Sequence, residues 1–408
     1  MRYLILISSI LSSLSVLVAQ NVFDVEPYLK AAFNDQAVSA FDSQLNFLNN
    51  NNYNSPLLQR VEIRVGSEGL ATTPEEYRLR LSPSNPSEIK ANRVYHKKQI
   101  GSLNAERTIA VSDALYNRYR LIIDLANLIE LKKLINKRIV YQKKLSGFTN
   151  ENGSTINIKD LVSLHSNQTK LLLRQEELAT RMIELVHLIE LDFPGVSTSV
   201  DSVANLVKVP QIKEFSTRAI DLNSNIRFDA LKQDLELDEQ ELKIEKAEAR
   251  SNIGYIQSNY DTDKKGDFVD QIGFQVGVRL PIVNPDKPKL NRIRVDLIEQ
   301  KAETETKLNE LQQTIELKKK LLLREISRYE TILERINSAN TIPVSGNMNI
   351  EWQQIMLLKN YQFALLEEKI KSESKIRETY IEILNYEGKL ISSPIRNYLS
   401  SKRSELNK

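Results

Sequence analysis

From about Gly101 to Leu145 the chain has neither a proline nor an internal glycine. Leu121, Leu125, Leu128, Leu131, Ile135 and Ile139 recur there at gaps of three and four, the spacing of one helical face. About 45 residues rising 1.5 Å each make a rod of roughly 65 Å. Such a rod cannot bury an apolar stripe on itself, so it must lie along other helices. The loop Gly147 to Ser154 breaks it, and a second helix is predicted from about Ile158 to Leu191, ahead of Asp192-Phe193-Pro194-Gly195.

Breakers are scarce everywhere: 408 residues hold 12 Gly and 12 Pro, about half of average usage. Hydrophobic residues at 41%, charged residues at 27% and a mean hydropathy of -0.36 exclude a polytopic helical membrane protein and a disordered chain. The net charge is only +3, from 56 Lys plus Arg against 53 Asp plus Glu, so no basic excess points to nucleic acid. With no cysteine there is no disulfide, thiol nucleophile, Cys-ligated metal or lipidated N-terminal Cys. His96, His165 and His187 lie far apart with no second ligand at metal spacing. No phosphate loop, nucleophile elbow or zinc-binding helix appears, so the sequence reads as that of a non-enzyme without catalytic residues, metal or cofactor.

The start has a signature of its own. Met1-Arg2, an apolar run from Leu4 to Val18 and Ala19-Gln20 form a secretory signal peptide over residues 1–19. The run is shorter than the roughly 20 residues of a spanning helix. No later window approaches one, so the exported chain either is soluble outside the cytoplasm or enters a membrane as β-strands.

Two stretches alternate with period two in the first half: Val61-Glu62-Ile63-Arg64-Val65 and Tyr77-Arg78-Leu79-Arg80-Leu81, the second closed by Ser82-Pro83-Ser84-Asn85-Pro86. The same order then returns. A helix is predicted over 212–249, strands over about 252–260 and 268–282, a helix from Leu290 to Ile336, a loop, and a helix from Ile350 to Ile391. Leu81 and Leu280 are 199 residues apart, the loop glycines Gly153 and Gly346 are 193 apart, and Phe193 and Ser392 are again 199 apart. One near-constant offset at three landmarks indicates a duplicated helix-strand-strand-helix-helix unit. The first repeat covers 20–195, with strands about 60–66 and 75–82 and a hairpin about 101–192; the second covers 196–392, with a hairpin about 290–391; 393–408 is a tail.

Leu308, Leu311, Ile315, Leu322, Ile326, Tyr329, Leu333 and Ile336 fall at gaps of 3, 4, 7, 4, 3, 4 and 3, a heptad-like seam of helices packed side by side. In Ile272-Gly273-Phe274-Gln275-Val276-Gly277-Val278-Arg279-Leu280 every second residue is apolar, which sets one face against lipid or a core and the other against water.

The phrase Val276-Gly277-Val278-Arg279-Leu280-Pro281-Ile282 resembles the strand of the outer-membrane efflux protein family, the TolC-like channels, that ends in an apolar-Pro-apolar step before a long helix. The helix running into Arg250-Ser251-Asn252-Ile253-Gly254-Tyr255, the duplicated element order and the secretory start fit the same family. The resemblance implies a mainly α fold with a small β part. Three copies would each give four strands to a 12-stranded outer-membrane β-barrel, and the coiled-coil-like hairpins would continue it as a periplasmic α-barrel. It implies a Gram-negative outer membrane, a passive role in tripartite efflux or type I secretion, and as partners a periplasmic adaptor, an inner-membrane transporter and outer-membrane lipid. Alternation makes Glu62, Arg64, Arg78, Arg80, Gln275 and Arg279 the lumen candidates and Ile272, Phe274, Val276, Val278 and Leu280 the lipid-facing ones. The periplasmic tip candidates are Gly147, Asn150, Glu151, Gly153, Ser345, Gly346 and Asn347. With Glu151 as the one acid in these loops, the family's paired acidic gate does not carry over. The first strand pair is short, and either flanking residues extend it or it forms only a rim. The other reading is a soluble periplasmic coiled-coil scaffold or adaptor-like protein, its strands forming a small cap.

Overall fold

The computed structural model describes residues 22–51, 56–66, 76–151, 158–194, 200–203, 205–218, 225–249, 253–262, 267–269, 271–278, 287–341 and 352–406. The expected signal peptide lies outside them. In chain order the elements are β1 (Val22–Phe23), α1 (Val25–Lys30), a 3-10 turn (Ala31–Asn34), α2 (Gln36–Asn50), β2 (Leu58–Gly66) and β3 (Glu76–Pro83). Then come α3 (Pro86–Glu151), α4 (Ile158–Asp192), β4 (Ser202–Val203), α5 (Val209–Ser216) and α6 (Ile226–Glu248). The order closes with β5 (Ile253–Asp261), β6 (Ile272–Val278), α7 (Lys287–Thr341), α8 (Trp352–Tyr386) and a second 3-10 turn (Lys389–Ile391).

The order repeats, and each copy opens with a short strand that the sequence does not announce. β1 and α1 open the first copy as β4 and α5 open the second, and the two short strands pair in parallel, Val22 with Ser202 and Phe23 with Val203. Several boundaries also differ from expectation. Helix α3 starts at Pro86 and not near Gly101, because Asn85 caps it: its Oδ1 accepts from the Ser87 N–H at 3.0 Å, and proline occupies the first helical position. The helix expected over 212–249 is two, since Asn225 caps α6 by accepting from the Arg227 and Phe228 N–H groups. Of the strand expected over 268–282, Ile272–Val278 is described as β6.

The chain divides into two compact units. The first takes the chain to Asp35, Val111–Asp221 and Thr314–Lys408. Its long helices form a row in which every neighbour is antiparallel. Leu131, Ile135 and Ile139 of α3 pack with Leu171 and Leu178 of α4, and Gln175 donates to Asn136 at 2.9 Å. On its other side α3 meets α8, where Ser112 donates to Asn385 at 2.9 Å and Arg138 to Asn360 at 3.2 Å. Helix α8 in turn meets α7 through Arg328–Glu368 at 2.9 Å and Lys318–Glu382 at 2.8 Å. The order is therefore α4-α3-α8-α7. The heptad-like seam of α7 behaves as read: Ile315, Leu322 and Ile326 are buried and the other five positions half-buried.

Residues 395–406 pack within the first unit. Leu399 and Leu406 are buried, the Val207 N–H donates to the Leu399 carbonyl at 2.6 Å, and Ser404 donates to Glu26. The fully buried Tyr119 donates its hydroxyl to the Arg396 carbonyl at 3.1 Å and accepts from the Tyr398 N–H.

The second unit takes Gln36–Ala110 and Leu222–Gln313. It holds one antiparallel sheet in the order β2-β3-β5-β6, with α2, α6 and the adjoining stretches of α3 and α7. Asn85 and Gln240 tie α3 to α6, donating to the Ala247 carbonyl at 2.6 Å and the Ala91 carbonyl at 2.9 Å. Lys289–Glu245 at 2.6 Å and Lys301–Glu239 at 2.9 Å tie α7 to α6. No described helix is long and apolar enough to cross a membrane.

Candidate functional site

The four-stranded sheet carries the clearest functional geometry, and it follows from the alternation in each strand. Pairing aligns Val61, Leu81, Ile256 and Val276 in one rung, and Ile63, Leu79, Ser258 and Phe274 in the next on that face. A third rung on the same face is Val65, Tyr77, Tyr260 and Ile272. The intervening rungs are Glu62, Arg80, Gln257 and Gln275, then Arg64, Arg78, Asn259 and Gly273. Eleven of twelve positions on one face are thus apolar or tyrosine, and seven of eight on the other are charged or amide.

The apolar face is bare. Phe274 is 81% exposed and Ile63 74%, although such side chains ordinarily end in a core. Tyr77, Tyr260 and Phe268 gather at one end of it, with ring centroids 6.4 and 5.7 Å apart.

On the polar face Glu62 takes Arg60 at 2.7 Å and Arg64 at 2.8 Å, while Glu76 takes Arg78. Arg80 lies instead on the Tyr255 ring, its guanidinium carbon 3.6 Å from the centroid. That ring covers Gly277, where an added Cβ would sit 2.2 Å from Cε1. A bulge between Ile253 and Tyr255 puts Ile253 opposite Val278 and Tyr255 opposite Gly277, so both faces keep their character past the irregularity.

Of the lumen candidates, Glu62, Arg80 and Gln275 share one rung and Arg64 and Arg78 the next. Of the lipid-facing candidates, Ile272, Phe274, Val276 and Val278 fall on the apolar face. Arg279 and Leu280 lie outside the described residues. Gly147, Asn150 and Glu151 fall in the last turns of α3, while Gly153, Ser345, Gly346 and Asn347 lie outside the described residues. Sequence reasoning did not single out Arg60, Tyr255, Gln257 and Asn259. The alternation in β5 was readable, but only the register puts Gln257 beside Gln275. No group of acidic and histidine side chains that would hold a metal ion exists among the described residues.

Both layers are open-ended. The sheet ends in β2 and β6, each with one unpaired edge among the described residues, and the helix row ends in α4 and α7. Strand length adds a constraint: β2 and β5 have nine residues each, at the short end of the roughly 9 to 11 of a tilted membrane strand.

A duplicated chain with a bare two-faced sheet and a row of long antiparallel helices has the fold of the TolC-like outer-membrane efflux channels. Structural comparison bears this out over most of the chain. The outer-membrane protein VceC of Vibrio cholerae is similar at a TM-score of 0.63, with 10% identity over 89% of this chain and 96% of that one. CusC gives 0.67, with 10% identity over 89% and 91%. The open state of the MtrE outer-membrane channel of Neisseria gonorrhoeae gives 0.64, with 9% identity over 89% and 88%. No family model matches the sequence, and no curated protein matches it by sequence.

Proposed function

We propose that the chain is one subunit of a passive outer-membrane channel of a tripartite efflux or type I secretion system. One observation carries this reading: the same sheet has a bare apolar face, a charged face and two open edges. Joining β2 of one copy to β6 of the next removes the edges, and a closed barrel is the one β architecture that satisfies every backbone group in lipid. Three copies give twelve strands, the number the family resemblance implies. The helix row closes in the same way, α4 of one copy against α7 of the next, which covers Ile183, 70% exposed on α4, and Leu317 on α7.

The tyrosine cluster at one end of the apolar face fits the aromatic girdle at a membrane interface. Glu62, Arg64, Arg78, Arg80, Gln275 and Arg279 then face the lumen. The described polar face holds four arginines, Arg60 included, against Glu62, Glu76 and Asp261, so the lumen leans towards anions. Hydrolysis and pumping belong to an inner-membrane transporter, and a periplasmic adaptor meets the tips at Gly147, Asn150, Glu151, Gly153, Ser345, Gly346 and Asn347.

The absence of native cysteine makes the test direct. Cysteines at Val61 on β2 and Val276 on β6, joined by a short bis-maleimide in isolated outer membranes, are expected to give a ladder that stops at three chains. Recovery of folded monomer in the soluble periplasmic fraction without detergent defeats the channel reading.

A further inference from the structure

In the first unit a cavity of about 270 Å³ opens between α5, the end of α8 and the last residues of the chain. Tyr380 forms part of its lining and is 1% exposed, its ring packed edge-on against Phe215 with centroids 4.9 Å apart. Arg218, Lys389, Arg396 and Arg403 also line it. Arg218 is paired with Glu214 at 3.1 Å, and Lys389 with the buried Glu387 at 2.5 Å, which also takes Lys319 at 2.8 Å. Arg396 sits opposite Glu405 in an isolated β-bridge, and the lining gathers four cations, two of them already paired with Glu214 and Glu387. Cations brought together in a partly enclosed space repel one another and gain nothing for the fold unless an anion joins them.

Arg403 adds an independent observation. Its φ is 49°, the left-handed region that disfavours a residue with a Cβ, where glycine or asparagine would be cheaper. The turn that imposes it is hydrogen-bonded, with the Arg403 N–H donating to the Ser400 carbonyl at 3.1 Å and the Lys402 N–H to Ser400 Oγ at 3.2 Å. From there Arg403 lines the cavity together with Tyr380. The costly residue at that turn thus places its charge in the cavity.

We propose that this cavity binds a small organic anion, a phosphate or carboxylate carried on a ring or apolar body. Arg396 and Arg403 hold the oxyanion with their planar donor forks, and the aromatic walls of Phe215 and Tyr398 seat the body. The cavity belongs to the first unit and the sheet to the second, and neither barrel formation nor conduction is needed for the proposed binding.

Thermal melts and isothermal titration of the full-length protein in detergent test it, using phenyl phosphate, benzoate and inorganic phosphate as probes. Phenyl phosphate or benzoate is expected to raise the melting temperature and bind below about 1 mM, more tightly at low salt and more tightly than inorganic phosphate. Whichever of the two binds better assigns the oxyanion. Arg403→Gly suits the positive φ, so it keeps the turn and the melting temperature of the free protein while weakening binding about tenfold or more. Lys97→Gln, on α3 in the second unit, leaves binding unchanged. The proposal is overturned if neither organic probe binds, if inorganic phosphate binds as tightly as both, or if Arg403→Gly binds like the natural chain.

Discussion

Gly277 and Tyr255 show how single residues on the polar face are matched. The tyrosine ring occupies the space a Cβ at 277 would need and also stacks with Arg80. Gly277→Ala is therefore expected to push the ring off the strand and cost about 1–3 kcal/mol, read as a lowered denaturation midpoint of the purified protein. Adding Tyr255→Ala restores most of the loss, because the clash is with that ring, and a double-mutant cycle without coupling refutes it. A second residue-scale effect lies in the second unit around Asp234. Burial, then Asp234, raises the Glu106 pKa; burial raises that of Asp238, with a smaller push from Asp234. A carboxyl with a raised folded pKa leaves the native state holding more protons, so its contribution to stability falls as pH rises through the window above the ordinary carboxylate value. Glu106→Gln and Asp238→Asn are accordingly expected to stabilise the protein at pH 7, an advantage that fades as pH falls to the ordinary carboxylate range. A pH series of denaturant melts checks the sign.

At the scale of elements, caps and seams decide boundaries. Asn85 caps α3 with its Oδ1 and donates Nδ2 to the Ala247 carbonyl, so Asn85→Ala is expected to cost at least the ~1 kcal/mol of an ordinary cap. Asn85→Asp, which keeps the cap and loses the donor, separates the two contributions in the same melt. The long helices were legible because their stripes are dense and their breakers few; Leu131, Ile135 and Ile139 are buried where spacing put them. The start of α3 was not legible, because Pro83-Ser84-Asn85-Pro86 reads equally as a turn after a strand and as a cap with proline at the first helical position. The two faces of β6 were legible from alternation within one strand. The ion pairs of Glu62 and the stack of Arg80 on Tyr255 depend on register and on a bulge, which no local pattern announces. The terminal residues had no periodicity to reveal that they pack.

At the scale of the whole molecule, the helix row ends on exposed apolar side chains and the sheet on unpaired strand edges among the described residues. Ile183 of α4 is exposed among the described residues, so Ile183→Asp is expected to leave the monomer's helix content unchanged and to lower the yield of assembled oligomer. Size-exclusion chromatography with light scattering reads this directly, and an unchanged oligomer refutes that use of the α4 flank. Truncating Leu178, which is buried inside the row, costs about 2–5 kcal/mol in the chain itself, and the contrast separates folding from assembly.

The stitching of residues 396–406 into the first unit sets an order of events in biosynthesis. Tyr119 waits for the Arg396 carbonyl and the Tyr398 N–H, Val207 for Leu399, and Glu26 for Ser404, contacts that reach back as far as 378 residues. A chain still emerging, or cut short before Arg396, lacks every one of these partners and keeps buried polar groups unmet. Closure of the first unit therefore depends on residues 396–406, made long after the residues they meet.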